Sequence, residues 1–277
     1  MNTLERKTQA FAAFEHMGWE DADVCQSYDE NFGLVTIQSM SALLQAANVR
    51  TNAHILDVCT GVGYGAGLAA QQGAIATGLD VSLQQVKLAQ SRYPKARFIQ
   101  GDGCALPFSD GRFDAVINSI GIPHLADPDQ ALREAFRVLK PGGRLAFTVY
   151  DRPENAVGFG VVYQAVAAHG SLDVGLPQGP NFFLFSDPNE AKQRLEAAGF
   201  TAVSVEIVPQ TWTFSTPDVA IAAILKGTVR AAATLKGQPE QAWPSIRAAI
   251  WELFSPFKHD DHYTVPMPVV LASALKS

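Results

Sequence analysis

The sequence predicts an α/β protein built on a doubly wound, mostly parallel sheet, and three observations carry that expectation. Strand-like and helix-like apolar runs alternate from 53 to 150, which implies parallel strands joined by right-handed crossovers. The first strand ends in an acid and passes at once into a glycine turn, Asp57-Val-Cys-Thr-Gly61-Val-Gly63-Tyr-Gly65, before a helix-like run over 66–72. Glycines there let a ligand approach the backbone, and the amides that open a helix face it. Finally, acids close three successive strands: Asp57, Asp80 and Asp102. In open sheets of this kind, ligands bind outside the carboxyl ends of the strands.

The elements follow in order. Residues 8–14 are helical in pattern, and 35–47 carries Ile37, Met40, Leu43 and Leu44 at helical spacing. The polar and aromatic stretch Tyr28-Asp-Glu-Asn-Phe-Gly33 reads as a connector between them. Strands are expected at 55–58, 74–79, 97–100, 115–119 and 144–149, with helices at 65–72, 83–93 and 128–139. Asp127, Pro128 and Gln130 form a helix start, and Lys140-Pro-Gly-Gly143 a stop. Beyond 150 a helix is expected over 155–169 and a loop over 172–180. Asp187, Pro188 and Glu190 open another helix, which Gly199 ends in a left-handed residue. A strand over 203–208 precedes one amphipathic helix marked by Ile221, Ile224, Leu225, Ala232 and Leu235, and a second helix over 238–257. The apolar stretch 263–275 is β-prone, with Pro266 and Pro268 bending its start. Three regions result: a helical cap or lid over 1–50, a cofactor-binding core over 51–152, and substrate-side helices with the last strands over 153–277.

Composition narrows the function. At 277 residues, 47% hydrophobic and 17% charged, the chain can bury one large core. A net charge of −6 and the lack of any basic run argue against nucleic acid as a partner. Cys25, Cys59 and Cys104 are scattered and odd in number, so neither a metal site nor a disulfide framework is expected. A cytoplasmic setting is the expectation, with no membrane span. All four tryptophans (Trp19, Trp212, Trp243, Trp251) lie outside 53–150, where they would line an apolar substrate pocket or glue helices to the sheet. The 211–260 helices would close a substrate lid or pair subunits in a homodimer.

Gly61-Val-Gly-Tyr-Gly-Ala66 also matches the dinucleotide fingerprint, and Asp80 stands where a ribose-binding acid would. Three clustered carboxylates would repel a pyrophosphate, however, and favour a ligand carrying hydroxyls, an ammonium and a sulfonium. On these residues the chain resembles the class I S-adenosylmethionine-dependent methyltransferases, in the style of the ubiquinone/menaquinone-biosynthesis group. The resemblance is dense over 53–150: Ile55-Leu-Asp-Val-Cys-Thr-Gly-Val-Gly63, Gly78-Leu-Asp-Val-Ser82, Gly101-Asp-Gly-Cys-Ala-Leu-Pro-Phe108, Phe113-Asp-Ala-Val116 and Arg137-Val-Leu-Lys-Pro-Gly-Gly-Arg-Leu145. It implies a Rossmann-like sheet ending in an antiparallel strand, with a helical N-terminal cap and a C-terminal helical insertion. It further implies that Asp57, Thr60, Gly61 and Gly63 surround the methionine part, and that Asp80 holds the ribose with Val81 against the adenine. Asp102 would take the adenine amino group, the Gly103–Cys104 backbone a ring nitrogen, and Asn118 would approach the methionine end. Gln85, one turn into its helix, faces the same site. Cys59 departs from the family, which often has glycine there.

Such an enzyme would aim a nucleophile at the methyl group and remove a proton where needed. His124, in Ile120-Gly-Ile-Pro-His-Leu125, is the expected base, with Tyr28 second as part of a lid over the cofactor. Asn118-Ser-Ile-Gly121 lacks the pattern of enzymes that methylate nucleic-acid amino groups. The expected acceptor is a small or medium-sized, largely apolar metabolite such as a quinone precursor, phenol or secondary metabolite, methylated on O, N or C. Two alternatives stand beside this: an NAD(P)-dependent oxidoreductase, and a protein that binds S-adenosylmethionine without transferring its methyl group.

Overall fold

The computed structural model describes residues 3–277, with side chains from residue 5. The chain runs α1 (Thr3–Trp19), α2 (Ala22–Thr36), α3 (Met40–Ala46), β1 (His54–Val58), α4 (Tyr64–Gln71), β2 (Ile75–Asp80), α5 (Leu83–Arg92), β3 (Arg97–Gln100), β4 (Phe113–Ser119), α6 (Pro128–Val138) and β5 (Leu139–Tyr150). It continues with α7 (Val157–His169), α8 (Pro188–Ala197), β6 (Thr201–Val208), β7 (Thr211–Phe214), α9 (Pro217–Gly227), α10 (Arg230–Lys236), α11 (Trp243–Phe254), β8 (Lys258–His259), β9 (His262–Pro266) and β10 (Val269–Leu275). Seven strands form one sheet in the order β3-β2-β1-β4-β5-β10-β6. β10 is antiparallel to both of its neighbours, and β1 to β5 pair in parallel. Strand order reverses between β1 and β4, so the crevice at their carboxyl ends is where this topology binds ligands.

The sheet is covered on both faces, which is why its central strands are continuous apolar runs. One face buries Leu56, Val116, Leu132, Phe147 and Phe200. The other buries Met40, Leu43, Ile55, Ala66 and Ile117. A third cluster, centred on Phe32, Val162, Trp212, Ile221 and Phe254, lies among the helices added beyond the alternating core. Helix starts obey their capping chemistry: Asp127 accepts from the Gln130 amide, and Asp187 from those of Asn189 and Glu190. Gly199 takes φ +101° past the end of α8.

Three expectations fail for identifiable reasons. Tyr28 to Gly33 is not a connector but the middle of α2. Asp21 caps that helix through the Asp23 and Val24 amides. The polar Asp29 is held by Tyr64 (2.6 Å) and Arg92, and Gly33 is a packing point. A Cβ there would stand 2.5 Å from the Tyr64 hydroxyl oxygen. The helix over 35–47 is interrupted by a tight turn at Ile37–Ser39 before α3. The helix expected across Ile221 to Leu235 is two helices. At Gly227 a Cβ would meet the Tyr28 backbone nitrogen at 2.9 Å, and Thr228 turns extended. Contact with α2 therefore breaks a pattern that looks continuous in sequence. β7 was not anticipated, although Trp212 and Phe214 alternate inward along it. It pairs with β9 in a three-stranded sheet, and Pro266 to Pro268 carry the chain from that sheet into β10.

Candidate active site

The glycine turn after β1 is shaped by buried carboxylates. Asp57 is 1% exposed and its Oδ2 accepts from Thr60 Oγ1 (2.6 Å) and the Ala66 amide (2.8 Å). Asp80 accepts the Gly61 amide on Oδ2 (2.8 Å) and the Ser82 amide on Oδ1 (3.0 Å). The Gly63 amide donates to the Thr60 carbonyl. Several of the amides that a pyrophosphate would need are thus already engaged inside the protein, two of them by negative charge. A phosphate cradle works through free amides at such a turn. This turn instead presents carboxylates.

Burial pushes the Asp57 carboxyl up to about 7, against hydrogen bonds from Thr60 and Ala66 that pull it down. Burial raises Asp80 as well, offset in part by the Ser82 and Gly61 amides. Two buried acids held above their ordinary range would be stabilised by a cation between them.

A cavity of about 470 Å³ opens beside them, at the carboxyl ends of β1, β2 and β4. Among the expected residues, Tyr28, Asp57, Thr60, Gly61, Asp80, Val81, Gln85, Asp102, Gly103, Cys104 and His124 line it. Asp102 sits exposed at its rim, where Oδ1 accepts the Cys104 amide (2.8 Å). Gln85 is 4% exposed, and its Oε1 is buried without a hydrogen-bond partner among the described residues. Gly63 and Asn118 stand behind the wall. Gly63 takes φ +90° against Ala89 and Phe98. Asn118 spends its amide on the loop, donating to the Val58 carbonyl (2.8 Å) and accepting from the Gly121 and Ile122 amides. It shapes the turn that presents His124. Cys59 and Cys104 are half-buried, and the loss of solvent raises both thiols and holds them protonated; Cys104 rises to about 11.

The far wall comes from α1, whose individual contacts in the site the sequence did not reveal. Its residues Gln9, Ala12, Ala13, His16 and Trp19 recur at helical spacing along the cavity, a periodicity that was present but gave no partner. Glu15 is 4% exposed. It accepts from Trp19 Nε1 (3.2 Å) and faces His124 Nδ1 at 2.8 Å. Trp19 stands edge-on to both His124 and Tyr28. Behind these rings lies a smaller chamber of about 40 Å³. Trp19, Tyr28, Ile120 and His124 line both cavities and divide them. Phe159 and Tyr163 of α7, Phe182 and Phe183, Tyr150 and the start of α10 complete it. Ile120 takes φ +61°, a strained value for a β-branched residue, at the point where the cavities meet.

Known proteins resemble this chain in sequence and fold. A family model described as a methyltransferase domain matches residues 56–147. A demethylmenaquinone methyltransferase of Renibacterium salmoninarum is 41% identical over 99 residues, 36% of this chain and 42% of that one. One from Thermus thermophilus is 34% identical over 165 residues, 53% of this chain and 74% of that one. The chain spans less than half the length (42–49%) of the first curated relatives that it matches. Among solved structures, a Haemonchus contortus phosphoethanolamine N-methyltransferase in complex with S-adenosyl-L-methionine shares the fold at TM-score 0.60 and 21% identity, covering 96% of this chain and 60% of that one. With that coverage of the Thermus protein, and with the sheet order and carboxylate-lined crevice described above, the chain belongs to the class I S-adenosylmethionine-dependent methyltransferases.

Proposed function

We propose that this protein transfers the methyl group of S-adenosylmethionine to a small or medium-sized, largely apolar metabolite. The observation that carries the reading is the turn after β1, where Asp57 and Asp80 occupy loop amides and leave negative charge facing the cavity. Such a wall suits an ammonium, a sulfonium and ribose hydroxyls. It does not suit the diphosphate of a nicotinamide cofactor, and the named relatives are methyltransferases. The Asp80 and Asp102 carboxylates are the groups for the ribose and adenine ends, and Gln85 Oε1 is a free acceptor on the same wall.

The chemistry asked of the chain is alignment and proton removal. The acceptor atom attacks the methyl carbon in line with the carbon–sulfur bond, and the sulfur leaves as a neutral thioether. A hydroxyl or acidic carbon must also lose a proton. Glu15 can accept from His124 Nδ1, which leaves Nε2 as the lone-pair nitrogen where the two cavities meet. His124 takes the proton there, and Glu15 stabilises the resulting imidazolium. Much of the rate then comes from orientation within a water-poor site.

The test is transfer from labelled S-adenosylmethionine to a panel of phenols, quinols and amines. Label is expected on apolar small molecules, with His124→Ala lowering turnover on hydroxyl acceptors about 10²-fold or more. Label confined to RNA or protein would reject the reading. Micromolar NAD(P) binding without S-adenosylmethionine binding would restore the oxidoreductase alternative. Tight cofactor binding with no transfer to any nucleophile would leave a binding protein.

A further inference from the structure

We infer that the chamber behind His124 holds a carboxylate of the acceptor, bound by Arg230 and the Tyr163 hydroxyl, so that the molecule methylated is an apolar acid. This rests on the methyltransferase reading and narrows its substrate class. The two cavities are lined by opposite charge. Glu15, Asp57, Asp80, Asp102 and Asp127 line the larger one, with no lysine or arginine among its described residues. Arg230 lines the chamber, with no aspartate or glutamate among its described residues. A cationic donor and an anionic acceptor are thereby sorted to the two sides of the divide that His124 helps to form.

Arg230 opens α10 and is half-buried. It donates from one terminal nitrogen to the Pro177 carbonyl (3.0 Å), and its guanidinium carbon stands 5.9 Å from the Phe11 ring centroid. Pro177 is its one hydrogen-bond partner among the described residues, and no carboxylate there pairs with it. A guanidinium carries five N–H groups in a planar fork that matches a carboxylate, so the Pro177 bond steadies this one and leaves donors to spare. Tyr163, on α7, is half-buried, lines the same chamber and makes no hydrogen bond among the described residues. Burial raises its phenol, which therefore stays protonated and can donate; Arg230 lowers it, and Glu15 raises it by less than Arg230 lowers it. The positive charge thus dominates at that hydroxyl. Other hydroxyls of the chamber wall are already engaged. Those of Tyr28 and Tyr150 are turned to each other and to Thr36, and Thr228 Oγ1 donates to the Ile224 carbonyl (2.8 Å) and accepts the Ala232 amide (3.0 Å).

Size sets the pose. About 40 Å³ is room for roughly three waters, hence for a carboxylate and not for a ring. The body of the acceptor then lies across the divide, in the larger cavity, with its reacting atom beside His124. The test titrates two pairs of probes calorimetrically into protein saturated with S-adenosylhomocysteine: 4-hydroxybenzoate with 4-hydroxybenzamide, and 4-hydroxycinnamate with its amide. Each pair shares a shape and differs in charge. The acid of at least one pair is expected to bind tenfold or more tightly than its amide. Arg230→Met should abolish that preference, Arg230→Lys should keep part of it, and Tyr163→Phe should reduce it several-fold, all with S-adenosylhomocysteine affinity unchanged. Equal affinity for acid and amide in both pairs, binding of no probe, or a preference that survives Arg230→Met would overturn the subsite. Should Arg230→Met fail to fold, an undiminished preference in both Arg230→Lys and Tyr163→Phe would overturn it equally. Failure of S-adenosylhomocysteine to bind the unaltered protein would instead sink the methyltransferase reading, independently of Arg230.

Discussion

Cys59 imposes a requirement on Gly121. The residue after Val58 takes φ +55°, a region glycine enters freely and other residues at a cost. That explains why a glycine is favoured there and why the cysteine is a departure. Its side chain finds room because position 121 has none: a Cβ there would lie 2.4 Å from Cys59 Cβ and 2.8 Å from Asn118 Nδ2. Gly121→Ala is expected to cost about 2 kcal/mol by overpacking. In a Cys59→Gly background that cost should fall by half or more, a coupling of about 1 kcal/mol in urea denaturation. Equal costs in both backgrounds would remove the link. The Asp57 carboxyl, raised to about 7 by burial, supplies a second residue-scale expectation. A carboxyl raised in the folded state binds more protons there than in the unfolded chain, so stability falls as pH rises from about 4 to about 7. At most this amounts to about 4 kcal/mol, and it levels off above the raised value. A bound sulfonium and ammonium would favour the ionised form. S-adenosylhomocysteine supplies only the ammonium, so S-adenosylmethionine binding at pH 6.5 should release more protons than its product, as calorimetry in buffers of different ionisation enthalpy reads. Asp57→Asn should abolish the release, and equal heats in all buffers would contradict the shift.

Helices α1 and α2 are both attached over the cavity, but by different means. α2 is tied to the core by Asp29. Burial pulls that carboxyl up, yet hydrogen bonds from Arg92 and Tyr64 outweigh it and leave it below its ordinary range. That contribution is complete above about pH 4 and is lost as pH falls through the carboxylate range. α2 also packs closely on α9 at Gly227. Near the cavity junction α1 is held by the Glu15 contact with His124 and by the rings of Trp19, Tyr28 and His124. Glu15→Gln is therefore expected to raise amide exchange across 9–19 several-fold while exchange in α2 stays as it was. Unchanged exchange in α1 would show that the helix does not depend on this contact. Turnover on hydroxyl acceptors should fall in the same variant, because a neutral amide stabilises an imidazolium less than a carboxylate does.

Across the whole molecule, the sheet delivers its chemistry to one edge and the appended helices enclose that edge. β1, β2 and β4 end at the larger cavity with α1 on its far wall, while α7, α10 and the chain around Phe182 line the smaller chamber behind it. No helix among the described residues is long and apolar enough to cross a membrane. A ligand that binds only the assembled crevice stabilises the fold by mass action. S-adenosylhomocysteine at a hundred times its dissociation constant should add about 2.7 kcal/mol, seen as a rise of several degrees in melting temperature. NAD at the same concentration should add nothing. Replacing Asp80, which braces the turn and lines the cavity, by alanine should remove most of the S-adenosylhomocysteine effect. Stabilisation by NAD, or an undiminished effect in that variant, would contradict the site.

Local pattern was enough for the alternating core. Strand ends at Asp57, Asp80 and Asp102, the glycine turn and the capped starts at Asp127 and Asp187 are signals written within a few residues of one another. Each is enforced by backbone geometry or hydrogen bonding that neighbouring residues satisfy. His124 and Tyr28 were legible as chemistry-bearing residues, but their partners were not. Glu15 is 109 positions from His124. The same limit explains the misread helices. Gly33 looks like a break and is a contact, whereas Gly227 lies in an unbroken apolar pattern and marks a break. In both cases the deciding atom belongs to another element, Tyr64 or the backbone at Tyr28. Sequence alone determined the sheet, the crevice and the carboxylates that line it. Tertiary structure decided which side chains of the helices roof the crevice and what they pair with there, because close packing between distant segments overrides local preference.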